Sequence, residues 1–271
     1  MSTDTSSDSS PDRADGSAAR PPEFVQSLER GLTVFSAFSR ETPSMTLSEV
    51  ARATGLTRAT ARRLLFTLCE LGYASTDGKR FALTPKVLDI GYAYLSSLDL
   101  AGIAQSEMEA LVEQTHESCS AAVLDGGEIV YVARVPTKRI MAISLGLGSR
   151  LPAHAASMGR VLLADLTPSE LDRHLAGTTL TPLTPNTITD EATLRTELGR
   201  VRRQGWALVD QELEEGVRSV AAPLRDARGR AIAALNVSSH AGRVDLSTLH
   251  DVFLPALLAT AHRISDRLAR R

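Results

Sequence analysis

Residues 46–83 read TLSEVARATGLTRATARRLLFTLCELGYASTDGKRFAL, and the hydrophobic period changes once along that stretch. Up to Glu70 the apolar residues recur at helical spacing; after Gly72 they no longer do. Thr46 and Glu49 have the spacing of a capping box, in which hydroxyl and carboxylate each satisfy an orphan amide at a helix start. Leu47, Val50 and Ala51 then share one face. Gly55 stands where this helix must end, because glycine takes positive φ without steric cost. Leu56 plugs the corner and Thr57 caps a second helix, whose inner stripe is Ala61, Leu64, Leu65, Leu68 and Leu71. Arg58, Thr60, Arg62, Arg63 and Thr67 remain on its outer face. Beyond it, residues 73–76 and 79–83 flank Asp77-Gly78, the pair favoured in a two-residue hairpin turn. Helix, turn, helix and ribbon make a winged helix-turn-helix, and an apolar back with an Arg/Thr front suits a helix laid in the major groove of DNA. Thr57, Arg58 and Thr60 begin that helix and are expected to face base edges. Arg62 and Arg63 are expected on phosphate, with Lys79 and Arg80 as the wing contacts.

Charge supports this reading. Between Phe24 and Leu83 eight Lys and Arg face five Asp and Glu, a local excess of +3 in a chain whose total is −2. A polyanion would therefore meet one patch, and indiscriminate coating of nucleic acid is excluded. At 271 residues with 43% apolar content the chain can build two ordinary domains. Cys69 and Cys119 have no metal-ligand spacing and are expected as reduced thiols in a cytoplasmic protein. No apolar run approaches the roughly 18 residues needed to cross a bilayer, and no secretory signal is expected.

Outward from the central stretch, residues 1–22 are rich in Ser, Asp, Ala and Pro and are expected to be a disordered tail. Val25, Leu28, Leu32, Phe35 and Phe38 mark a helix that must bury its stripe against the helix-turn-helix or against a second subunit. Residues 23–84 are thus read as the DNA-binding domain. Thr84-Pro85 starts another helix, with Thr84 as the cap; residues 85–99 are read as a linker and 100–271 as a second domain. Ile103, Met108, Leu111 and Val112 give the inner face of a helix over 101–116. Strands are expected over 118–125 and 128–135 about Gly126-Gly127, and over 139–145. A loop through Pro152 and His154 leads to a helix carrying Met158, Val161 and Leu162. Thr167-Pro168-x-Glu170 caps a short helix, residues 177–189 form a loop, and 190–204 a helix stopped by Gly205. Strands at 206–210, 218–225 and 231–239 precede a closing helix over 246–270, broken near Pro255. The mixture predicts an α+β fold.

FVQSLERGLTVFSAF, the helix-turn-helix followed by LGY, RLPAHAASMGRVLLA and AAPLRDARGRAIAALNVSS together resemble the IclR family of bacterial transcription regulators. Within it, YVARVPTKRIM followed by LGLGSRLPAHAASMGRVLLA looks most like the regulators of aromatic-acid catabolism, a subgroup controlling protocatechuate and 4-hydroxybenzoate degradation through the β-ketoadipate pathway. The resemblance implies a GAF-like second domain, a curved antiparallel sheet whose concave side binds the effector. It implies a near-palindromic operator, pairing of two DNA-binding domains through the first helix, and dimers joined into tetramers. No cofactor is implied. Carried over position by position, the effector pocket falls on Ile140, Leu151, Ser157, Met158, Asp210, Ser219, Asn236 and Ser238. Small-acid binders favour small residues where Met158 stands, which argues against a glyoxylate-type ligand.

A buried carboxylate needs a cation or convergent amides. Arg134, at a strand end, is the expected partner, followed by Arg160 and Arg218; each has an ordinary ion-pair role as its alternative. His154 is expected to hydrogen-bond the effector or, equally, to be a loop histidine on backbone. The acidic run Asp210, Glu212, Glu214 and Glu215 reads as a solvated loop. Other functions stay open at this level: a regulator of another small-acid pathway, a ligand-sensing adaptor, or a hydrolase using Ser157 near His154. Against an enzyme, the six histidines show no metalloprotease spacing, and neither a GxSxG elbow nor a phosphate-cradling loop is present.

Overall fold

The computed structural model describes residues 21–98, 100–137 and 145–270, and the chain divides into two compact units between Gly91 and Tyr92. The first unit contains α1 (Gln26–Ser36), β1 (Ser44–Thr46), α2 (Leu47–Thr54), α3 (Arg58–Glu70), β2 (Ala74–Thr76) and β3 (Arg80–Leu83). The capping box forms: the Thr46 amide donates to Glu49 Oε2 at 2.6 Å and the Glu49 amide to Thr46 Oγ1 at 3.3 Å. Gly55 ends α2 at φ 67°, and Thr57 caps α3 by accepting the Thr60 amide at 3.2 Å. Val34, Val50, Ala61, Leu65, Leu68 and Phe81 meet in one small core.

Expectations for this unit are corrected at the ribbon, at the wing turn and at Leu71. The ribbon has a third strand, in the order β1–β3–β2; three residues are too few to show a period. The wing turn spans four residues, since Thr76 pairs with Phe81. Asp77 widens it by accepting the amides of Lys79 at 2.8 Å and Arg80 at 2.7 Å on Oδ1, an Asx-type turn that outcompetes the tight hairpin. Leu71 lies outside the core, half exposed at the end of α3. On α1 the stripe splits: Phe35 and Phe38 pack on the core, while Val25, Leu28 and Leu32 stay exposed, Leu28 by 62%.

Thr84 stands at the N-cap position before Pro85, but its hydroxyl donates to the Gly72 carbonyl at 2.6 Å and makes no side-chain cap. A single 3-10 turn, Pro85–Val87, then leads into α4 (Leu88–Leu98).

The second unit continues with α5 (Leu100–Thr115), β4 (Ser118–Asp125), β5 (Glu128–Val135) and β6 (Arg150–Pro152). After these come α6 (Ser157–Asp165), α7 (Pro168–Ala176), α8 (Glu191–Gln204), β7 (Ala207–Asp210), β8 (Val217–Arg225) and β9 (Ala231–His240). A short α9 (Leu246–Thr248) and a π-type stretch (Leu249–Phe253) open into α10 (Leu254–Ala269), with Pro255 tolerated in its first turn. The six strands form one antiparallel sheet, β6–β5–β4–β9–β8–β7. Of the strand expected over 139–145 only Leu145 is described; Ile140 and residues 1–20 of the tail lie outside the described residues.

Strand periodicity sorts the side chains onto two faces. Val220, Leu224, Leu235 and Val237 pack with α5 and α10. On the other face the residues are small, Ala122, Ala221 and Ala234, and α6 packs against them with α7 and α8 outside it. That close approach buries α6 on all sides, Ser157 through Ala164. Gly159 lets the helix also lie close against the Ala153–Ala155 turn that precedes it: a Cβ there would lie 2.1 Å from the Ala153 carbonyl oxygen.

Candidate functional site

Two surfaces carry chemistry. On the first unit, α3 presents Arg58, Arg62 and Arg63 to solvent. Thr57 and Thr60 are more committed than expected: their hydroxyls bond each other at 2.9 Å as part of the cap. A groove of about 470 Å³ runs between the front of α3 and the wing, lined by Arg58, Arg62, Phe66 and Lys79 together with Thr46 and Ser48. Phe66 was not anticipated. It stands one helical turn after Arg62, whose guanidinium lies 5.2 Å from its ring centroid, and it meets Phe81 edge-on at 5.8 Å. Arg80 is turned back from the wing tip, with Nε donating to Ser44 Oγ at 3.0 Å and Nη2 lying 3.7 Å from Glu49 Oε2. Lys79 alone of the two basic wing residues lines the groove. The Arg80 and Lys79 amides hold the Asp77 carboxyl below the ordinary carboxylate range, keeping the turn charged and set.

In the second unit a small hollow lies at the start of α6, with about 30 Å³ of free space, room for roughly one water. It brings together six of the anticipated residues, Leu151, Ser157, Met158, Ser219, Asn236 and Ser238. Sheet register explains the polar set: Ser219 pairs with Ser238 and Ala221 with Asn236, so the three polar residues project to the α6 face. Ser219 donates its hydroxyl to Ser157 Oγ at 2.8 Å. Asn236 is buried, and its Oδ1 has no hydrogen-bond partner among the described residues. Ala156 offers α6 no side-chain cap, so the positive end of the helix is left for whatever enters.

Tyr131, Leu213 and Val217 also line the hollow and were missed. Tyr131 was legible in principle, since β5 alternates and Tyr131 shares a face with Ile129. Burial pushes its hydroxyl up to about 12, partly offset by the nearby Arg134 charge.

Arg134 does not line the hollow but lies close to it. It pairs across β4 with Ser120, which in turn pairs with Asn236, so the three share one sheet face. Its Nη1 donates to Ser120 Oγ at 3.3 Å. Asp210 is corrected outright. Val209 faces the hollow, so the next residue on the strand faces away, and Asp210 takes Arg218 Nε at 2.5 Å on that opposite side. Arg218 is spent in the same pair. Arg160 is fully buried and grips Glu212, its Nη1 donating at 2.8 Å to Oε1 and its Nη2 pairing with Oε2, while its Nε donates to the His154 carbonyl at 2.9 Å. The acidic run is therefore not simply solvated. His154 is also buried, with Nε2 on the Thr181 carbonyl at 3.2 Å and Nδ1 without a partner among the described residues, so the backbone alternative is the one adopted. The Ser157–His154 pair that a hydrolase would need is not made among these bonds, and the described residues hold no cluster of metal ligands.

Comparison with known proteins places both units. Residues 92–266 match the model of the bacterial transcriptional regulator IclR C-terminal domain, and residues 27–78 that of the IclR helix-turn-helix domain. The Pca regulon regulatory protein of Pseudomonas putida is 44% identical over 248 residues, covering 91% of this chain and 85% of that protein. The p-hydroxybenzoate hydroxylase transcriptional activator of Acinetobacter baylyi is 40% identical over 252 residues, covering 91% and 93%. Among solved structures, the inducer-binding domain of an Acinetobacter PobR double mutant in complex with 3-hydroxybenzoic acid is 40% identical, with a TM-score of 0.58, over 60% of this chain and 96% of that one.

Proposed function

The chain belongs to the IclR family of bacterial transcriptional regulators, and from that premise we propose that it controls aromatic-acid catabolic genes in response to an aromatic carboxylic acid held in the α6 hollow. The observation that carries this reading is the buried, unpartnered Asn236 Oδ1 in a cavity at the uncapped start of a helix, with Arg134 on the same sheet face. A carboxylate suits the positive helix end, where Ser157 and Met158 begin α6, and Arg134 supplies the cation that a buried carboxylate requires. A ring hydroxyl would donate to Asn236 Oδ1, the acceptor that a benzoate without that hydroxyl leaves unpaired. The relatives support the same class of ligand: two are named for the Pca regulon and for p-hydroxybenzoate hydroxylase, and the PobR domain was solved with 3-hydroxybenzoic acid.

The hollow is smaller than such a ring, so binding must displace side chains. Met158, with three rotatable bonds, is suited to move. Linkage needs only that the acid bind one arrangement of the protein better than another. We assign the exposed apolar residues of α1, Val25, Leu28 and Leu32, to pairing of two DNA-binding domains on a palindromic operator, with dimers joining into tetramers. Residues 85–99 act as the connector and the protein works in the cytoplasm; no helix of the described residues is long and apolar enough to cross a membrane.

The test is a footprint on the DNA adjoining the protein's own gene, with and without 4-hydroxybenzoate, protocatechuate and β-ketoadipate, alongside calorimetry with each acid. A protected, dyad-symmetric site whose occupancy one of them alters is the expected result. Protection that none of them alters, with no heat of binding, would remove the aromatic-acid assignment and leave a regulator of another small acid.

A further inference from the structure

Between β7 and β8 the chain forms a loop, residues 211–216, from which Leu213 lines the hollow while remaining only half buried. It therefore separates cavity from solvent. The loop is held by side chains from elsewhere. Beneath it, Glu212 is clasped by Arg160 of α6, the helix that also brings Ser157 and Met158 to the cavity. From the 177–189 segment, Thr184 Oγ1 donates to the Gln211 carbonyl at 2.7 Å and Thr187 Oγ1 to the Glu212 carbonyl at 2.6 Å. Within the loop, the Gly216 amide donates to Gln211 Oε1 at 3.1 Å.

Two features distinguish this loop from a permanent wall. Gln211 sits at φ 58°, a left-handed conformation that a non-glycine residue keeps only when its surroundings impose it. Glu214 buries Oε2 with no partner among the described residues, a desolvation cost that disappears if the segment lifts. Strain and an unsatisfied atom oppose the hydroxyl and guanidinium contacts, which is the balance expected of an element with two accessible positions.

We propose that residues 211–216 are a lid over the effector cavity, with Leu213 limiting the size of acid admitted and Thr184, Thr187 and Arg160 holding the lid shut. The inference rests on the cavity being the effector site. Ligand access then depends on breaking the threonine-to-carbonyl bonds, part-buried at Thr184 and buried at Thr187, whereas ligand choice depends on the leucine.

The experiment uses the full chain, with 4-hydroxybenzoate and the larger 6-hydroxy-2-naphthoate as probes in calorimetry and exchange NMR. Leu213→Ala is expected to weaken 4-hydroxybenzoate and strengthen the naphthoate, moving their affinity ratio by about tenfold or more, as loss of packing in an apolar pocket does. Thr184→Val, which keeps the shape and removes the hydroxyl, is expected to release both acids several-fold faster with their ratio unmoved. Circular dichroism and retained DNA binding establish that both variants fold. If the wild type binds and Leu213→Ala keeps the wild-type ratio, or Thr184→Val releases at the wild-type rate, the lid is overturned while the effector reading stands. If the wild type takes up neither acid, both fall.

Discussion

The front of α3 and the hollow at α6 solve opposite problems. The first displays side chains: Arg58, Arg62 and Arg63 stand in solvent, set by a cap and a helical period that lie within one short stretch. The second hides them, and its polar residues come from α6, β8 and β9, brought together by antiparallel register. A displayed site fails gently, because water replaces whatever contact is lost. A hidden one fails hard, because removal of one partner strands the other in a low-dielectric interior.

That contrast is most severely tested at Arg160. Arg160→Met leaves the Glu212 carboxylate buried without its cation, and the expected loss is about 3–5 kcal/mol from the second unit. Replacing both, Arg160→Met with Glu212→Leu, is expected to restore most of it. Chemical unfolding of the full chain, followed by probes for each unit, decides the matter; equal losses in the single and double variants would show that the pair does not behave as a unit. Next comes Gly159→Ala. The added Cβ, 2.1 Å from the Ala153 carbonyl, must push α6 and the Ala153–Ala155 turn apart, at about 1–3 kcal/mol by overpacking. A thermal transition of the second unit at the wild-type temperature would contradict the close approach.

On the displayed side the effects are smaller and take another form. Arg58→Ala is expected to cost about 1–3 kcal/mol of operator affinity and to relax preference at one base position, without changing thermal stability. Operator variants in a competition mobility-shift assay separate this from a uniform loss, which would make Arg58 a phosphate contact. The smallest effect concerns pH. Burial lowers the His154 pKa below its ordinary value of 6.5, so the unfolded chain takes up this proton first as pH falls. The stability that depends on neutral His154 is complete above pH 6.5 and is lost progressively as pH falls from there to the folded value. His154→Gln should flatten that part of the stability profile of the second unit; an unchanged slope would place the titration elsewhere, with His174 next to examine because burial lowers it too.

How far each region could be read in advance follows the same division. Thr46, Glu49, Gly55 and Thr57 were legible because a cap is a bond between residues three apart. The strands 118–125 and 128–135 were legible because short apolar runs on either side of a Gly-Gly turn are local signals. The wing turn was misread because Asp77, a turn residue in either case, used its carboxylate for two amides and lengthened the loop. Asp210 was misplaced because homology carries over a position in the chain, whereas the face of the sheet is set by parity with Val209. Leu213 and Phe66 were missed for a common reason: one sits in a loop and the other on an outward helix face, where no pattern requires an apolar residue.

By itself the sequence determined the helix-turn-helix with its ribbon, most of the helices and strands behind it though not the short strand Arg150–Pro152, and the family, since these rest on spacings within a few residues or on strings that can be matched end to end. Only the tertiary structure decided that Arg160 and Glu212 neutralise each other, that Arg80 turns back to Ser44, and that Asn236 keeps an open acceptor beside an uncapped helix. Those outcomes depend on which distant groups share a dry interior, and in a dry interior the energy of a charge or a polar atom is set by its neighbours in space.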